Sequence, residues 1–183
     1  MGKIVFRPLT ADEIEVKVKM VKDSGLVALL YKTARTDMDL LDEIVGPENW
    51  ECNYEEIKGN LYCDIRVNIN YRDDNQPYLW VSKKDCGIES REDGEGNEKK
   101  GESSDAFKRA GFKWGIGRAL YTAPFIWIPS DKANIKPKNN GYECKDRFIV
   151  GKIEYSQDEK KISKLAIWNC NKGVWAYTWQ DGK

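Results

Sequence analysis

The sequence contains no histidine among its 183 residues. This absence removes Ser-His and Cys-His nucleophile pairs, the imidazole general base and most zinc sites. The chain also has no Gly-x-x-x-x-Gly-Lys-Ser/Thr loop, which argues against a P-loop ATPase. Asp64, Asp85 and Glu89 are the candidates for a metal-dependent nuclease site, but no motif connects them. We therefore expect a protein that is not an enzyme and that uses no metal or cofactor.

Long apolar runs and paired cysteines are also missing. No stretch approaches the ~20 apolar residues of a membrane span, and the first residues lack the apolar core of a signal peptide. We expect no membrane partner and a cytoplasmic location. The five cysteines are scattered without a Cys-x-x-Cys pair, a pattern typical of reduced thiols rather than of a disulfide framework or a zinc site.

Acidic and basic residues balance over the whole chain, but one segment has an excess of basic residues. The chain has a formal net charge of +0, so any binding of a polyanion requires a local patch. Residues 99–118 supply one: they hold six basic residues against two acids, and six minus two gives a local charge of +4. This imbalance favours an anionic polymer as the ligand.

The same segment has the apolar periodicity of one long helix. Phe107, Ala110, Gly111, Trp114 and Tyr121 recur at helical spacing and predict its buried stripe. Ser103 or Ser104 is the expected N-cap, and Pro124 is expected to end the helix soon after Tyr121. Gly115 and Gly117 are expected inside this helix, where they allow it to pack closely against a sheet.

The rest of the chain is rich in strand patterns. Residues 50–58 and 61–71 predict a hairpin around Gly59 and Asn60, because residues 61–69 alternate cleanly between apolar and polar side chains. Further elements are predicted as follows: a short helix over 37–45, a third strand over 78–84, an exposed loop over 90–101, and three C-terminal strands over 148–155, 162–168 and 174–179. Residues 10–23 fit either a short helix or a strand, and the pattern leaves both open.

These elements predict an α+β fold. It consists of a twisted antiparallel sheet, made of the hairpin and the third strand, with the long helix packed across it, followed by a C-terminal β-meander. The expected division is a core domain over residues 1–130, a Lys/Asn/Pro-rich linker over 131–146 and a β extension over 147–183.

Three blocks of sequence resemble the single-strand annealing proteins of the Rad52/Rad22 type, in their bacterial and phage branch. The first is Ser-Asp-Ala-Phe-Lys-Arg-Ala-x-x-x-Trp-Gly-x-Gly-Arg-x-Leu-Tyr, which ends at Tyr121. The second comprises residues 29–35 and 38–50, and the third comprises residues 80–87 followed by Glu89 and Ser90. The blocks occur in the family order and cover roughly residues 26–128, which makes them specific together although each alone is weak.

The resemblance implies a function and an assembly. Protomers would associate side by side into a ring or filament, with single-stranded DNA in a continuous positive groove, its backbone inward and its bases outward. Complementary strands would be annealed in recombination and repair without ATP, in a bacterial or phage-infected cell, with a host or phage single-strand-binding protein as a further partner. The alternatives are an interaction module of the same fold that binds protein or RNA, and the metal-dependent nuclease.

The resemblance also selects DNA-binding residues. It places Lys108 and Arg109 in the strand-binding groove, whereas spacing alone favours a solvated helix face with Glu102 or Asp105 as ion-pair partners. Lys113 belongs to the same basic helix. Arg35 matches a basic position near the family's first helix, although a salt bridge to an acid of the next turn would also explain it.

Three more cations, Arg66, Lys83 and Lys84, are candidates for a second, outer strand-binding path. We expect them on the strand face away from the apolar residues or at its rim. The simpler interpretation is that they are solubility charges. Residues 37–56 contain eight acids and no Lys or Arg, which suggests either a head-to-tail contact between protomers or packing against the basic helix within one protomer.

Overall fold

The computed structural model describes residues 4–73, 75–88 and 98–182. This part of the chain has an α+β fold with two α-helices and antiparallel strand pairs. The chain divides into two compact units. The helical unit is Thr33–Ile116 together with the N-terminal residues up to Arg7, and the sheet unit is Pro8–Lys32 with Gly117–Lys183.

The helical unit contains both α-helices and one sheet. Helix α1 is Ala34–Val45 and helix α2 is Glu98–Trp114. The strands are β3, Trp50–Ile57, β4, Asn60–Asn68, and β5, Trp80–Cys86, in the order β3-β4-β5. This sheet confirms the predicted hairpin and third strand, and the two-residue turn Lys58-Gly59 has positive φ at both positions, as a tight hairpin requires.

One face of this sheet is apolar and contacts α2. Cys63, Ile65 and Val67 of β4 are completely buried. The Trp114 indole Nε1 donates a hydrogen bond of 3.0 Å to the Ile65 carbonyl, and the buried Phe107 ring meets Trp50 edge-on at a centroid distance of 6.0 Å. The period-2 pattern of β4 therefore identified the buried face of the sheet.

Helix α2 differs at both ends from the sequence prediction. It begins at Glu98, so Ser103 is not its N-cap and lies inside the helix, where its hydroxyl bonds to the Lys100 carbonyl. The predicted loop over 90–101 is therefore too long, and its residues 90–97 lie outside the described residues. The helix ends at Trp114 because Gly115 has φ +109° and Gly117 has φ +71°, a conformation that glycine adopts without steric cost.

The predicted buried stripe of α2 is correct for Phe107, Ala110 and Gly111, whereas Trp114 is only partly buried. Ala110 is fully buried, and Gly111 is also buried. Tyr121 is 79% exposed, because it lies in a separate 3-10 turn, Arg118–Thr122, beyond the end of the helix. A Cβ placed on Gly111 would lie 2.3 Å from Asp37 Oδ2, so this glycine allows contact with α1 rather than with the sheet.

Helix α1 begins three residues earlier than predicted because Thr33 caps it. The Thr33 side chain accepts a hydrogen bond of 3.1 Å from the Thr36 amide. The helix ends at Gly46, which is followed by Pro47.

The sheet unit is built on one six-stranded antiparallel sheet in the order β11-β10-β9-β1-β2-β6. Its strands are β1, Glu15–Lys22, β2, Gly25–Tyr31, β6, Ile126–Pro129, β9, Phe148–Tyr155, β10, Ile162–Asn169, and β11, Val174–Gln180. The last three confirm the predicted C-terminal meander. For residues 10–23, where the pattern left helix and strand open, most of the segment is strand: β1 follows a single 3-10 turn at Ala11–Glu13.

The division into a core over 1–130, a linker over 131–146 and a β extension over 147–183 stays a prediction. In the structure, β9 joins β1 through the pair Glu15 and Ile149, so the C-terminal meander shares a sheet with N-terminal strands. The expected linker over 131–146 contains a small hairpin of β7, Ile135–Lys138, and β8, Gly141–Cys144.

Candidate nucleic-acid interface

Helix α2 directs its cations away from its buried stripe. Phe107 and Ala110 are fully buried, whereas the side chains of Arg109 and Lys113 are 41% and 47% exposed. Lys108 is less exposed and forms an ion pair of 3.7 Å with Asp105, one helical turn before it. Asp105, which the sequence suggested as an ion-pair partner of Lys108, therefore does pair with it.

Asp85 of strand β5 contacts both of the more exposed cations of α2, Arg109 and Lys113. Its Oδ1 lies 3.6 Å from Arg109 Nε, and its Oδ2 lies 3.4 Å from Lys113 Nζ. Lys113 also donates a hydrogen bond to the Lys84 carbonyl. These contacts hold both cations beside β5, which lies at an edge of the three-stranded sheet.

The Arg109 guanidinium retains hydrogen-bonding capacity. Its Nε is buried and has no hydrogen-bond partner among the described residues, since the contact with Asp85 is longer than a hydrogen bond. A guanidinium carries five N–H donors in a planar fork. The side chain as a whole is 41% exposed, so a phosphate would approach its solvent-facing N–H groups rather than the buried Nε.

Lys83 completes the cationic cluster. It lies two residues before Asp85 on the same face of β5. Its Nζ lies 5.8 Å from the centre of the Trp114 ring of α2. We call the set Lys83, Asp85, Arg109 and Lys113 the α2–β5 cluster. Three cations and one acid give it a charge of three minus one, or +2, within a chain whose net charge is zero.

The structure separates Lys83 from the two other residues of the expected outer path. Lys84 and Arg66 lie on the opposite face of the sheet, because their cross-strand partners are Asp64 and Ser82. Lys84 bonds to Glu55 at 2.8 Å, which raises the pKa of this lysine. On that face the acids offset the cations.

Arg66 is likewise held on that opposite face by its neighbours. It forms an ion pair with Glu51, and its guanidinium lies 5.5 Å from the Trp80 ring centre. Arg66 and Lys84 thus lie on the face away from the apolar residues, as expected, whereas Lys83 lies opposite Ile65 on the other face. Their role in DNA binding stays a prediction.

Arg35 lies in the first turn of α1 and is exposed. Within residues 4–73, 75–88 and 98–182 it forms no hydrogen bond or ion pair, so the salt bridge to Asp37 or Asp39 that would also have explained it is not formed. The structure does not join it to the α2–β5 cluster, and its role stays a prediction.

The proposed nuclease carboxylates are not brought together. Asp64 bonds to Ser82 on the face opposite to Asp85, and Glu89 lies outside the described residues. No group of three or more His, Cys, Asp or Glu residues in the described part of the chain is arranged to hold a metal ion. Nor does any helix there have the length and apolarity needed to span a membrane.

A thiol pair lies on the α2-facing side of the same sheet. A hydrogen bond from Cys63 lowers the pKa of Cys52 to about 7. The same contact, together with burial, raises the pKa of Cys63. The sequence showed only scattered cysteines, because the residues meet through the β3–β4 register rather than through a spacing motif.

Asp85 is the site residue that sequence reasoning placed in the wrong context, as a nuclease carboxylate. The available signal was the period of two along β5, which puts Lys83 and Asp85 on one face and Lys84 on the other. The contact with α2 requires long-range packing and had no local signal.

Comparison with known proteins identifies the family. The model of the Rad52/22 family double-strand break repair proteins matches residues 7–139. This chain belongs to that family, and the resemblance seen in its three sequence blocks is confirmed.

Two curated relatives are similar over part of their length. The single-stranded DNA-binding protein DdrA of Deinococcus deserti is 29% identical over 114 residues, which cover 62% of this chain and 52% of DdrA. The DdrA of Deinococcus radiodurans is 30% identical over 111 residues, covering 61% of this chain and 49% of DdrA. The chain thus spans about half the length of the curated relatives it matches. No solved structure matches it.

Proposed function

We propose that this chain binds single-stranded DNA and anneals complementary strands in recombination and repair. The observation that supports it most is the α2–β5 cluster, a group of charge +2 formed by β5 and by the helix that carries one of the three family-like sequence blocks. Two similar proteins are named for single-stranded DNA binding. The DNA-binding residues in this proposal are Lys108, Arg109 and Lys113, with Lys83 beside them.

The mechanism follows from where the charge lies. In this proposal α2 packs across the β3-β4-β5 sheet, supported by the contacts of Phe107 with Trp50 and of Trp114 with Ile65. The exposed cations neutralise phosphates, so the backbone faces the protein and the bases remain free to test pairing. Base pairing supplies the free energy, and no nucleotide hydrolysis is needed.

Asp85 sets the strength of this binding. Its carboxylate lies 3.6 Å from Arg109 Nε and 3.4 Å from Lys113 Nζ, so a phosphate that binds these cations must share them with an internal anion. The repulsion between the two anions keeps each contact weak and reversible, which suits a protein that must release a strand once it has paired.

Assembly into a ring or filament is part of the proposal. The acidic residues 37–56 were one reason to expect a head-to-tail contact, but several of them have partners within the helical unit. Glu43 binds Arg7 at 2.8 Å, and the Trp50 indole donates to Asp42 at 2.7 Å. Neither partner lies in the basic helix, so these pairs favour neither the head-to-tail contact nor packing against that helix, and the proposed assembly rests on family membership. The division into a core over 1–130, a linker over 131–146 and a β extension over 147–183, and a single-strand-binding protein as partner, are proposed on the same basis.

An annealing assay tests the function. Two complementary fluorescent oligonucleotides are mixed with the protein in EDTA and without ATP, and duplex formation is followed in time. We expect faster annealing than for DNA alone, and light scattering should give a mass well above 21.1 kDa. An absolute requirement for ATP, or a monomer that does not accelerate annealing, would contradict the proposal, and strand cleavage in magnesium would favour the nuclease.

A further inference from the structure

The solvent-facing side of the C-terminal meander carries exposed tryptophan that no core explains. Trp175 of β11 is 48% exposed and lies opposite Trp168 of β10, with the two rings edge-on at 5.1 Å. The exposed part of an indole offers a flat apolar surface on which another ring can stack.

A glycine accommodates this ring on the strand surface. A Cβ placed on Gly151 of β9 would lie 2.6 Å from Trp175 Cζ3. The indole therefore lies across the neighbouring strands where any side chain at residue 151 would displace it. This arrangement leaves an aromatic surface beside small residues, Ala166 and Thr178, on the adjacent strands.

Two lysines lie next to this aromatic surface. Lys152 follows Gly151 and pairs with Ala166, and Lys164 lies two residues before Ala166 on β10. Together with Thr178 and Gln180 they line an open groove of about 420 Å³. Both lysines hold one carboxylate, Glu154, at 2.9 Å and 2.7 Å, and the pKa of Glu154 is lowered by them. Two cations sharing one acid leave the groove with a charge of +1.

The surrounding sequence also has a positive net charge. Residues 147–183 contain seven Lys or Arg and four Asp or Glu, and seven minus four gives +3 in a chain of net charge zero. A sheet face that combines an exposed aromatic ring with lysines is the arrangement used for single strands, since bases stack on the ring while cations hold the backbone. A protein partner would not require this charge.

We propose that the outer face of β9, β10 and β11 is a second binding site for single-stranded nucleic acid. A base stacks on Trp175, and phosphates bind at Lys152 and Lys164 in exchange for Glu154. The site lies beyond residues 7–139, the part that the family shares, and it does not depend on the α2–β5 cluster. It would let one chain hold two segments of DNA.

Photocrosslinking locates the site independently of affinity. A deoxythymidine oligonucleotide containing 5-iodouracil is crosslinked to the full-length protein, and the attached peptides are mapped by mass spectrometry. We expect a crosslinked peptide that contains Trp168 or Trp175, and we expect it to persist in the double variant Lys108→Ala, Arg109→Ala. Crosslinks confined to residues 33–116 would overturn the proposal, whereas a parent protein that binds no oligonucleotide would contradict the proposed function as well.

Substitutions test the chemistry. Trp175→Ala should raise the Kd for the oligonucleotide about fivefold or more, and Trp175→Phe, which keeps a ring, should stay within about twofold. Lys152→Ala with Lys164→Ala should lower the slope of log affinity against log salt by about 1.4, since each single-strand phosphate contact contributes about 0.7. Tyr142→Ala, an exposed ring on β8, and Lys136→Ala with Lys138→Ala on β7 are the matched controls.

Folding of each variant is checked by circular dichroism. If Trp175→Ala does not fold, the salt slope of the folded lysine-pair variant decides. A folded lysine-pair variant with the parental salt slope, or a folded Trp175→Ala variant with the parental Kd, would overturn the proposal.

Discussion

Replacing Asp85 by Asn should tighten single-stranded DNA binding. The carboxylate lies 3.6 Å from Arg109 Nε and 3.4 Å from Lys113 Nζ, so it competes with phosphate for both cations. Asn keeps the side-chain oxygen that accepts a hydrogen bond of 2.9 Å from the Cys86 amide. The substitution therefore removes charge and preserves local structure.

The magnitude follows from the geometry. A phosphate held by the same two cations would lie roughly 7 Å from the carboxylate, where two unit charges in water repel by about 0.6 kcal/mol. This corresponds to about threefold tighter binding at low salt, and a larger factor where the protein surface lowers the effective permittivity. Loss of two partly exposed ion pairs should cost about 0–1 kcal/mol of folding free energy each.

Fluorescence anisotropy with a labelled deoxythymidine oligonucleotide at low and high salt measures the effect. The gain should shrink as salt rises, because the Debye length falls to about 8 Å at physiological ionic strength. Asp12→Asn, in the exposed part of the turn Ala11–Glu13, makes the same change in net charge and should have little effect. A folded Asp85→Asn protein that binds more weakly than the parent would refute the competition and show that the carboxylate orients the cations.

Three further outcomes follow from the helical unit. Gly111→Ala should destabilise the protein by about 1–3 kcal/mol in urea unfolding, because its new Cβ would lie 2.3 Å from Asp37 Oδ2 in a packed interior. Phe107→Ala should cost about 3–5 kcal/mol in the same assay, because the ring is fully buried. Alkylation of Cys52 by iodoacetamide should rise with a midpoint near pH 7, and Cys63→Ala should move that midpoint up to the usual thiol range. The lowered pKa of Cys52 contributes stability that is full above the unfolded value of about 8.5 and is lost as the pH falls through about 7, whereas the raised pKa of Cys63 acts on stability in the opposite direction.

Much of the fold could be predicted because its signals are local. The alternation along β4 identified the buried Cys63, Ile65 and Val67, since a strand has a side-chain period of two. The C-terminal strands were also visible in the sequence. The pairing of β9 with β1 could not be predicted from the sequence, because strands far apart in the chain pair through tertiary packing rather than through a local pattern.

The errors have identifiable causes. Helix α2 was extended to Tyr121 because apolar residues continue at helical spacing, but Gly115 and Gly117 adopt positive φ and end it. The glycines were assigned to packing when they serve as a stop signal. The outer path suggested for Arg66, Lys83 and Lys84 stays a prediction, although Lys83 and Lys84, as adjacent strand residues, point to opposite faces. Asp85 could not have been assigned its contacts from sequence, because its partners lie on a helix that follows in the chain.

The salt dependence of the double variant Lys108→Ala, Arg109→Ala tests the central claim most directly. Both side chains lie off the buried stripe of α2, so the variant should remain folded. If each contributes one phosphate contact, the slope of log affinity against log salt for a deoxythymidine oligonucleotide should fall by about 1.4, whereas Lys136→Ala with Lys138→Ala should keep the parental slope. A folded double variant that binds with the parental slope would contradict the account, because α2 would then not hold the DNA backbone.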